Sequence, residues 1–418
     1  MSKQRIQLSD HFTYSRLLRF VLPCIGTMLF TSIYGIVDGL CVSNFVGKTA
    51  FAAVNLIMPL PMLLGTIGFM LGTGGSAIVG ITLGEGDQKK ADRYFTLFLL
   101  AALISVSVLA VLGIVFLRPI AVLLGAKGEL LDYAVRYGRI LMVSLPTFAL
   151  QNMFQSFFVT AEKPHLGFWF TVGAGCTNMV LDVLMVGIWG WGVEGAAIAT
   201  FISQLVGGVL PVFYFIDRSN SSRLHLCKTS FYSKVLRDAC INGSSELMTN
   251  LSMSLVNILY NYQLLRLAGE NGVAAYGVIM YAAFLFVAVF VGYAVGSAPI
   301  VSFHYGARNH AEVHNLYRKS LRLIAVVAVT LTLASMFIIP CVARIFVGYD
   351  AELLALTSRA FRLYALSFLI MGFNVYASSF FTALGDGVTS ALISFLRTLA
   401  FQVIAILLLL SLIHISEP

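Results

Sequence analysis

The sequence predicts an all-α polytopic membrane protein: two homologous six-helix bundles, the second lacking its last helix, with about 11 transmembrane helices. Three observations carry this. Of 418 residues, 59% are hydrophobic and only 11% charged, and the mean hydropathy is +0.88. Apolar stretches of about 20 residues, enough to cross hydrocarbon as helix, recur from Phe20 to Ile413 with short polar breaks. The chain also matches itself at shifts of 221 to 223 residues.

In order, the expected spans are 17–40, 51–81, 94–117, 133–160, 165–187 and 193–216, then 240–266, 273–303, 317–340, 354–382 and 388–413. They are apolar all round, whereas barrel strands alternate in and out, which argues against a β-barrel. The first span is full length and flanked by Lys3, Arg5, Arg16 and Arg19, which is unlike a cleavable signal peptide. Further basic clusters fall in alternate loops: Lys89, Lys90 and Arg93; Arg218, Arg223, Lys228, Lys234 and Arg237; Arg308, Arg318, Lys319 and Arg322. The opposite loops are poorer, with Lys48, Arg118 and Lys127 in the first half. This asymmetry puts the N-terminus in the cytoplasm of a multi-pass cell-membrane protein. The net charge of +8 therefore faces anionic lipid, not nucleic acid. Six scattered cysteines form no CxxC pair, so neither a disulfide framework nor a zinc site is indicated.

The self-match includes charged residues, which apolar bias does not generate. Glu129-Leu130-Leu131 meets Glu352-Leu353-Leu354, and Arg136 and Arg139 meet Arg359 and Arg362. Ser156-Phe157-Phe158 meets Ser379-Phe380-Phe381, Gly75-Ser76-Ala77 meets Gly296-Ser297-Ala298, and Ile57-Met58 meets Ile279-Met280. The expected organisation is an N-terminal bundle 1–216, a cytoplasmic linker 217–237 and a C-terminal bundle 238–418. An even number of spans returns the chain to one side, so the halves relate by an axis along the membrane normal, with a substrate path between them. Span 193–216 should recur at 415–438, past Pro418, and His414-Ile415-Ser416-Glu417-Pro418 match nothing in the first half. The expectation is a chain truncated before its twelfth helix, with residues 411–418 foreign to the native product.

Two acids sit where hydrocarbon should be. Asp38 lies in Ser32–Val42 and Asp182 in Asn178–Val186. A carboxylate at that depth costs several kcal/mol and usually lines a hydrated path or binds a cation. Asn178 and Asp182 are four apart and share a helix face. Thr200 lies beside the small residues Gly195, Ala196 and Ala199, which let helices approach closely. Asp38, Asn178, Asp182 and Thr200 together offer oxygen ligands to Na⁺ or a site for a proton. Asn178 and Thr200 are equally readable as interhelical hydrogen bonds. Glu246 reads either as partner for a cationic substrate or as a helix N-terminal cap. Arg136, Arg139, Arg359 and Arg362 sit at span ends and read as snorkelling to the interface. Arg397 is deeper, and reads as paired or water-exposed. His310 and His314, on a basic loop, read as a solvated face. No Ser-His-Asp or HExxH run occurs, and Gly84-Glu85-Gly86 lacks the Lys-Ser/Thr ending of a phosphate loop. The sequence therefore indicates neither an enzyme nor ATP-driven transport.

Val37-Asp38-Gly39-Leu40-Cys41-Val42-Ser43-Asn44-Phe45-Val46-Gly47 resembles the first-helix motif of the multidrug and toxic compound extrusion (MATE) family. Leu83-Gly84-Glu85-Gly86-Asp87, with Lys89, Lys90 and Ala91, resembles the family's loop after its second helix, and Tyr305-Gly306-Ala307-Arg308-Asn309 its second-half counterpart. Asn178 through Asp182 resembles the fifth-helix motif. The resemblance runs from about Tyr14 to Leu410. It implies an antiporter that exports organic cations and drugs by alternating access in exchange for Na⁺ or H⁺. By that resemblance Asp38, Asn178, Asp182 and Thr200 match the cation-site positions. Some members carry an Asp in the tenth helix; here span 354–382 has Asn374 and no acid. Glu246 and Asn374 are the candidate substrate-binding residues. No cofactor is expected beyond the coupling ion, and the partners are organic cations and the bilayer, for a monomer. The alternative is a lipid-linked oligosaccharide flippase of the same two-bundle architecture. That activity calls for a cationic cavity, whereas the first bundle carries acids and few deep bases.

Overall fold

The computed structural model describes residues 6–46, 48–348 and 350–407, and every described element is helical. The first half holds α1 (Tyr14–Phe45), a short α2 (Lys48–Ile57), α3 (Pro59–Gly84), α4 (Gln88–Leu123), α5 (Gly128–Thr160) and α6 (Pro164–Asp182). A π-turn, Val183–Ile188, prolongs α6. Then α7 (Gly192–Gln204) runs through a second π-turn, Leu205–Val209, into α8 (Leu210–Ile216). In the second half α9 extends from Ser233 to Gly306 but breaks at Gly269, whose φ is 61°. It is followed by α10 (His310–Val347), α11 (Ala351–Ala365), α12 (Phe368–Ala383) and α13 (Gly387–Phe395) with a third π-turn, Leu396–Ala400. Among the described residues eight helices are long and apolar enough to span a bilayer, and nine with the α11–α12 pair, bent by 49°. Two more rods, α5 and the part of α9 before Gly269, are as long but more polar. The expected count of about 11 spans thus compares with eight to nine span candidates among the described residues. The expectation about residues 411–418 lies outside the described residues.

Local chemistry sets the turns. Proline opens α3 and α6, where its missing N–H would be unpaired anyway. Asp87, Asn309 and Asp386 each cap a helix by accepting from the N–H three residues on, of Lys90, Glu312 and Thr389. Just before each cap sits a residue of positive φ: Gly86 (88°), Arg308 (55°) and Gly385 (82°). Glu162 (60°) makes the corresponding turn after α5. Gly86 and Arg308 differ by 222 positions, and Glu162 and Gly385 by 223. The internal repeat is thus visible in the backbone, including two non-glycine residues held left-handed where their repeat partners are glycine.

Lipid and core faces separate as expected. On α4, Ile104, Val108, Val111 and Val115 are over half exposed and recur at helical spacing, an apolar outer stripe. Inside, one buried cluster joins both halves and the N-terminal segment, from Leu8 and Phe12 through Phe95, Phe154 and Phe157 to Ile300 and Val301.

The halves close on each other at the end that bears the basic loops. The largest interface is between α3 and α9, followed by α1 with α9. Here helices approach backbone to backbone. A Cβ at Gly74 would overlap Ala239, and one at Gly243 would overlap Met70. Near the tips a Cβ at Gly84 would overlap Phe303, and one at Gly306 would overlap Ile81. Overpacking such a contact costs about 1–3 kcal/mol. Gly243→Val is therefore expected to prop this end open and cut transport roughly tenfold or more, while membrane insertion stays normal. Unchanged transport by a normally inserted variant would mean that the contact does not have to form.

The N-terminal segment clamps the same end. Leu8 N–H donates to Glu162 Oε1 at 2.9 Å, and Arg223 of the linker pairs with the same carboxylate. Four residues on, Phe12 N–H donates to Glu312 Oε1 at 2.9 Å, and His11 Nδ1 meets Glu312 Oε2 at 2.7 Å. Lys319 Nζ reaches the Phe12 carbonyl at 2.7 Å. Leu8 and Phe12 are fully buried. One short segment thus ties Glu162 of the first half to Glu312 of the second.

Candidate functional site

α1 and α6 pack side by side and bring Asp38 and Asp182 together, near the end opposite the basic loops. Asp182 is fully buried, and Asp38 is half-buried with its Oδ1 inaccessible. The two carboxyl groups are close enough to share a hydrogen bond. Yet Asp182 Oδ1, Asp182 Oδ2 and Asp38 Oδ1 receive no ordinary donor from any described residue. Ionised carboxylates only accept, so they cannot bond to each other. A proton or a cation between them is what makes the pair chemically complete.

Asn178, one turn before Asp182, is buried, and its Nδ2 has no partner among the described residues. The Thr200 hydroxyl donates to Ala196 O at 3.0 Å along its own helix, leaving its lone pairs free to accept. Among the described residues no hydrogen bond links Thr200 to the acids, so the structure brings together Asp38 and Asp182, with Asn178 one turn before Asp182, and shows no direct contact from Thr200 to the pair. The π-turn begins immediately after Asp182. Such a turn widens the helix by a residue and is common at functional sites. Among the described residues no group of three or more His, Cys, Asp or Glu could hold a metal ion. A cation here would rest on carboxylate, amide and hydroxyl oxygens, a hard-ion set.

Two tyrosines complete the surroundings. Tyr34, one turn before Asp38, lies within its electrostatic reach, and buried Tyr137 of α5 lies within reach of both acids. Tyr34 is legible from its i, i+4 spacing to Asp38. Tyr137 stands between Arg136 and Arg139, and its inward face is a tertiary fact. Arg136 itself lies 3.7 Å from Glu194, an exposed pair, so snorkelling alone does not describe it.

In the second half, the capping reading of Glu246 is wrong. α9 begins at Ser233, thirteen residues earlier, so the orphan N–H groups of its first turn are far away. Glu246 is instead half-buried in mid-helix, within electrostatic reach of Arg397. Asn374 is half-buried on α12. Thr382 of α12 meets Asn242 and Ser245. Eight residues before Thr382, Asn374 therefore sits about 12 Å along the axis from that level. The two candidate substrate residues occupy different depths.

The MatE family model matches residues 23–184 and again 247–408, two copies offset by 224 positions. The multidrug export protein MepA of Staphylococcus saprophyticus is 21% identical over 389 residues, spanning 92% of this chain and 84% of that protein. A crystal structure of a MATE in complex with MaL6 superposes with a TM-score of 0.89 at 23% identity, over 96% of this chain and 89% of that one. The outward-facing conformation of a multidrug resistance MATE family transporter of the MOP superfamily matches equally, with a TM-score of 0.89, 23% identity and the same coverage. The chain belongs to the MatE family, and it is a multi-pass membrane transporter with two repeated halves, not an enzyme.

Proposed function

We propose that the protein is a cation-coupled multidrug antiporter that exports organic cations in exchange for Na⁺ or H⁺ by alternating access. The observation that carries this reading is the buried Asp38–Asp182 pair, which has no donor to complete it. The names of the MepA and MATE relatives support drug export as the activity. In this reading residues 1–216 and 238–418 are the two moving bundles, 217–237 is the cytoplasmic linker, and the basic-loop end faces the cytoplasm in a monomer. Contact between the bundles at that end then corresponds to a state open to the outside.

An ion arriving from outside neutralises the acid pair. The first bundle then loses its reason to keep that site hydrated, and α1, already interrupted by Pro23, repacks around a neutral Asp38. Cargo on the Glu246 side of the cleft is released, and the ion leaves once the basic-loop end opens. Asn178 and Thr200 serve as the neutral oxygen ligands. Thr200→Ala is expected to raise the half-saturating ion concentration roughly threefold, since a neutral hydrogen bond is worth about 0.5–1.5 kcal/mol. An unchanged ion dependence would remove Thr200 from the site.

The test is reconstitution in liposomes with ethidium under imposed Na⁺ or pH gradients. Ethidium should accumulate against its own gradient under one ion gradient and not without it. Ethidium flux that ignores both gradients would refute the reading.

A further inference from the structure

The second half holds two charges within its helices, Glu246 and Arg397, of which the export reading uses only Glu246. Glu246 is three residues after Gly243 and seven after Ala239, so all three share one face of α9. Gly243 and Ala239 are the residues that touch Met70 and Gly74 of the first half. Glu246 therefore points into the space between the halves, one turn beyond their closed contact. Arg397 comes from the π-turn Leu396–Ala400 that follows α13, the helix packed against α9.

Arg397 has unmet bonding capacity. Arg397 Nη1 is buried without a partner among the described residues. Its other contacts are long and go to neutral hydroxyls, Nη2 to Thr249 Oγ1 at 3.5 Å and Nε to Thr398 Oγ1 at 3.4 Å. Each group feels the other's charge, yet they do not close into an ion pair. Ion pairs that do close among the described residues include His11–Glu312, Arg136–Glu194, Arg223–Glu162 and Arg237–Asp238. Hydroxyls beside them are already paired: Ser378 with Ser390 at 2.9 Å and with Ser394 at 2.8 Å, and Thr382 with Ser390 at 2.8 Å. The surplus donor capacity belongs to Arg397, and Glu246 supplies the negative charge within its reach.

We propose that Glu246 and Arg397 together form a cargo-charge filter that favours amphoteric molecules, with an ammonium for Glu246 and a carboxylate for Arg397. The pair sums to zero. A monocation bound at Glu246 satisfies the carboxylate and takes away the one opposite charge that Arg397 feels among the described residues, leaving Arg397 buried and uncompensated. An amphoteric molecule completes both groups at once, and a planar guanidinium matches a carboxylate in bidentate geometry. Arg397 is thus a specificity-determining residue, and the proposal refines the export reading by naming the cargo charge that the cleft prefers.

The test is equilibrium binding of a rhodamine free acid and of its methyl ester, followed by fluorescence polarisation on the purified full chain in nanodiscs. The two dyes share a cationic ring and differ in the carboxylate. The wild-type chain should bind the free acid about tenfold more tightly, since a charge-assisted contact of roughly 1.4 kcal/mol is tenfold in Kd. Arg397→Gln should erase or invert that ratio, and Arg397→Lys should keep part of it. A wild-type ratio near one overturns the filter whether or not any variant folds, as does an unchanged ratio in Arg397→Gln. Binding needs no ion gradient, so this result is independent of coupling. Dye flux that ignores both gradients, alongside an intact binding ratio, would count against antiport alone.

Discussion

Asp182→Asn is expected to abolish ion-driven export while leaving a folded, inserted protein, and Asp38→Asn is expected to do the same. Both follow from the acceptor-only pair. A tenfold ion gradient supplies about 1.4 kcal/mol per ion, and one-for-one exchange converts it into a tenfold cargo gradient. With one acid made neutral, the site no longer needs a proton or cation to be complete. The accumulation ratio should then fall from about ten to about one under that same gradient. Stability should not suffer, because each oxygen of Asp182 lacks a donor among the described residues. An Asn amide even brings its own N–H to the facing carboxylate. The double variant should be no worse than either single one, since the two acids hold one ion between them and residues that share a partner are not additive. Accumulation and thermal unfolding measured on the same preparations check this. Wild-type accumulation by Asp182→Asn, or a double variant far worse than the singles, would dissolve the idea of a shared ion.

The acids were legible in the sequence because a charge inside an apolar run is costly wherever the chain folds. Span positions were legible for the same reason: hydropathy acts residue by residue. Pairings across long separations were not. Arg397 showed its cost but not its partner Glu246, which lies 151 positions away in the chain. Glu246 was open to misreading because hydropathy starts its helix at 240, whereas the polar residues from Ser233 onward are helical too. Their helix is stabilised by packing against the other half, which a local pattern does not encode. Nothing in the sequence marks Glu162 or Glu312. Acids at helix ends in polar loops look solvated. These two are buried, at 9% and 6% exposure, only because residues 6–12 fold back over them. The repeat, by contrast, was legible down to its turns, since Asp87 and Asn309 are the same kind of cap at the same offset.

That fold-back segment carries the second large effect. Glu312→Gln is expected to shift the transporter toward the state with its basic-loop end open. The Glu312 carboxylate accepts from the Phe12 N–H at 2.9 Å and from Asn315 Nδ2 at 2.9 Å, and meets His11 Nδ1 at 2.7 Å. Hydrogen bonds to a charged group are worth about 1.5–3 kcal/mol each. An amide keeps one acceptor oxygen and turns the other position into a donor facing His11. Losing about 2 kcal/mol from a contact made only in the closed arrangement shifts the equilibrium roughly thirtyfold. Glu162→Gln should act in the same direction, because it weakens the Leu8 N–H and Arg223 contacts at the segment's other anchor. Arg223 also stacks over the Phe303 ring, 4.9 Å from its centroid, so it bridges the halves a second time. Spin labels at Lys89 and Arg318, exposed near the basic-loop ends of α4 and α10, report the opening as a longer distance population. A clamp that matters only for folding would lower thermal stability and leave that distance distribution as it is in the wild type. A clamp that sets the transport cycle lengthens it in both variants, and cuts export most where the outward-open state limits the rate.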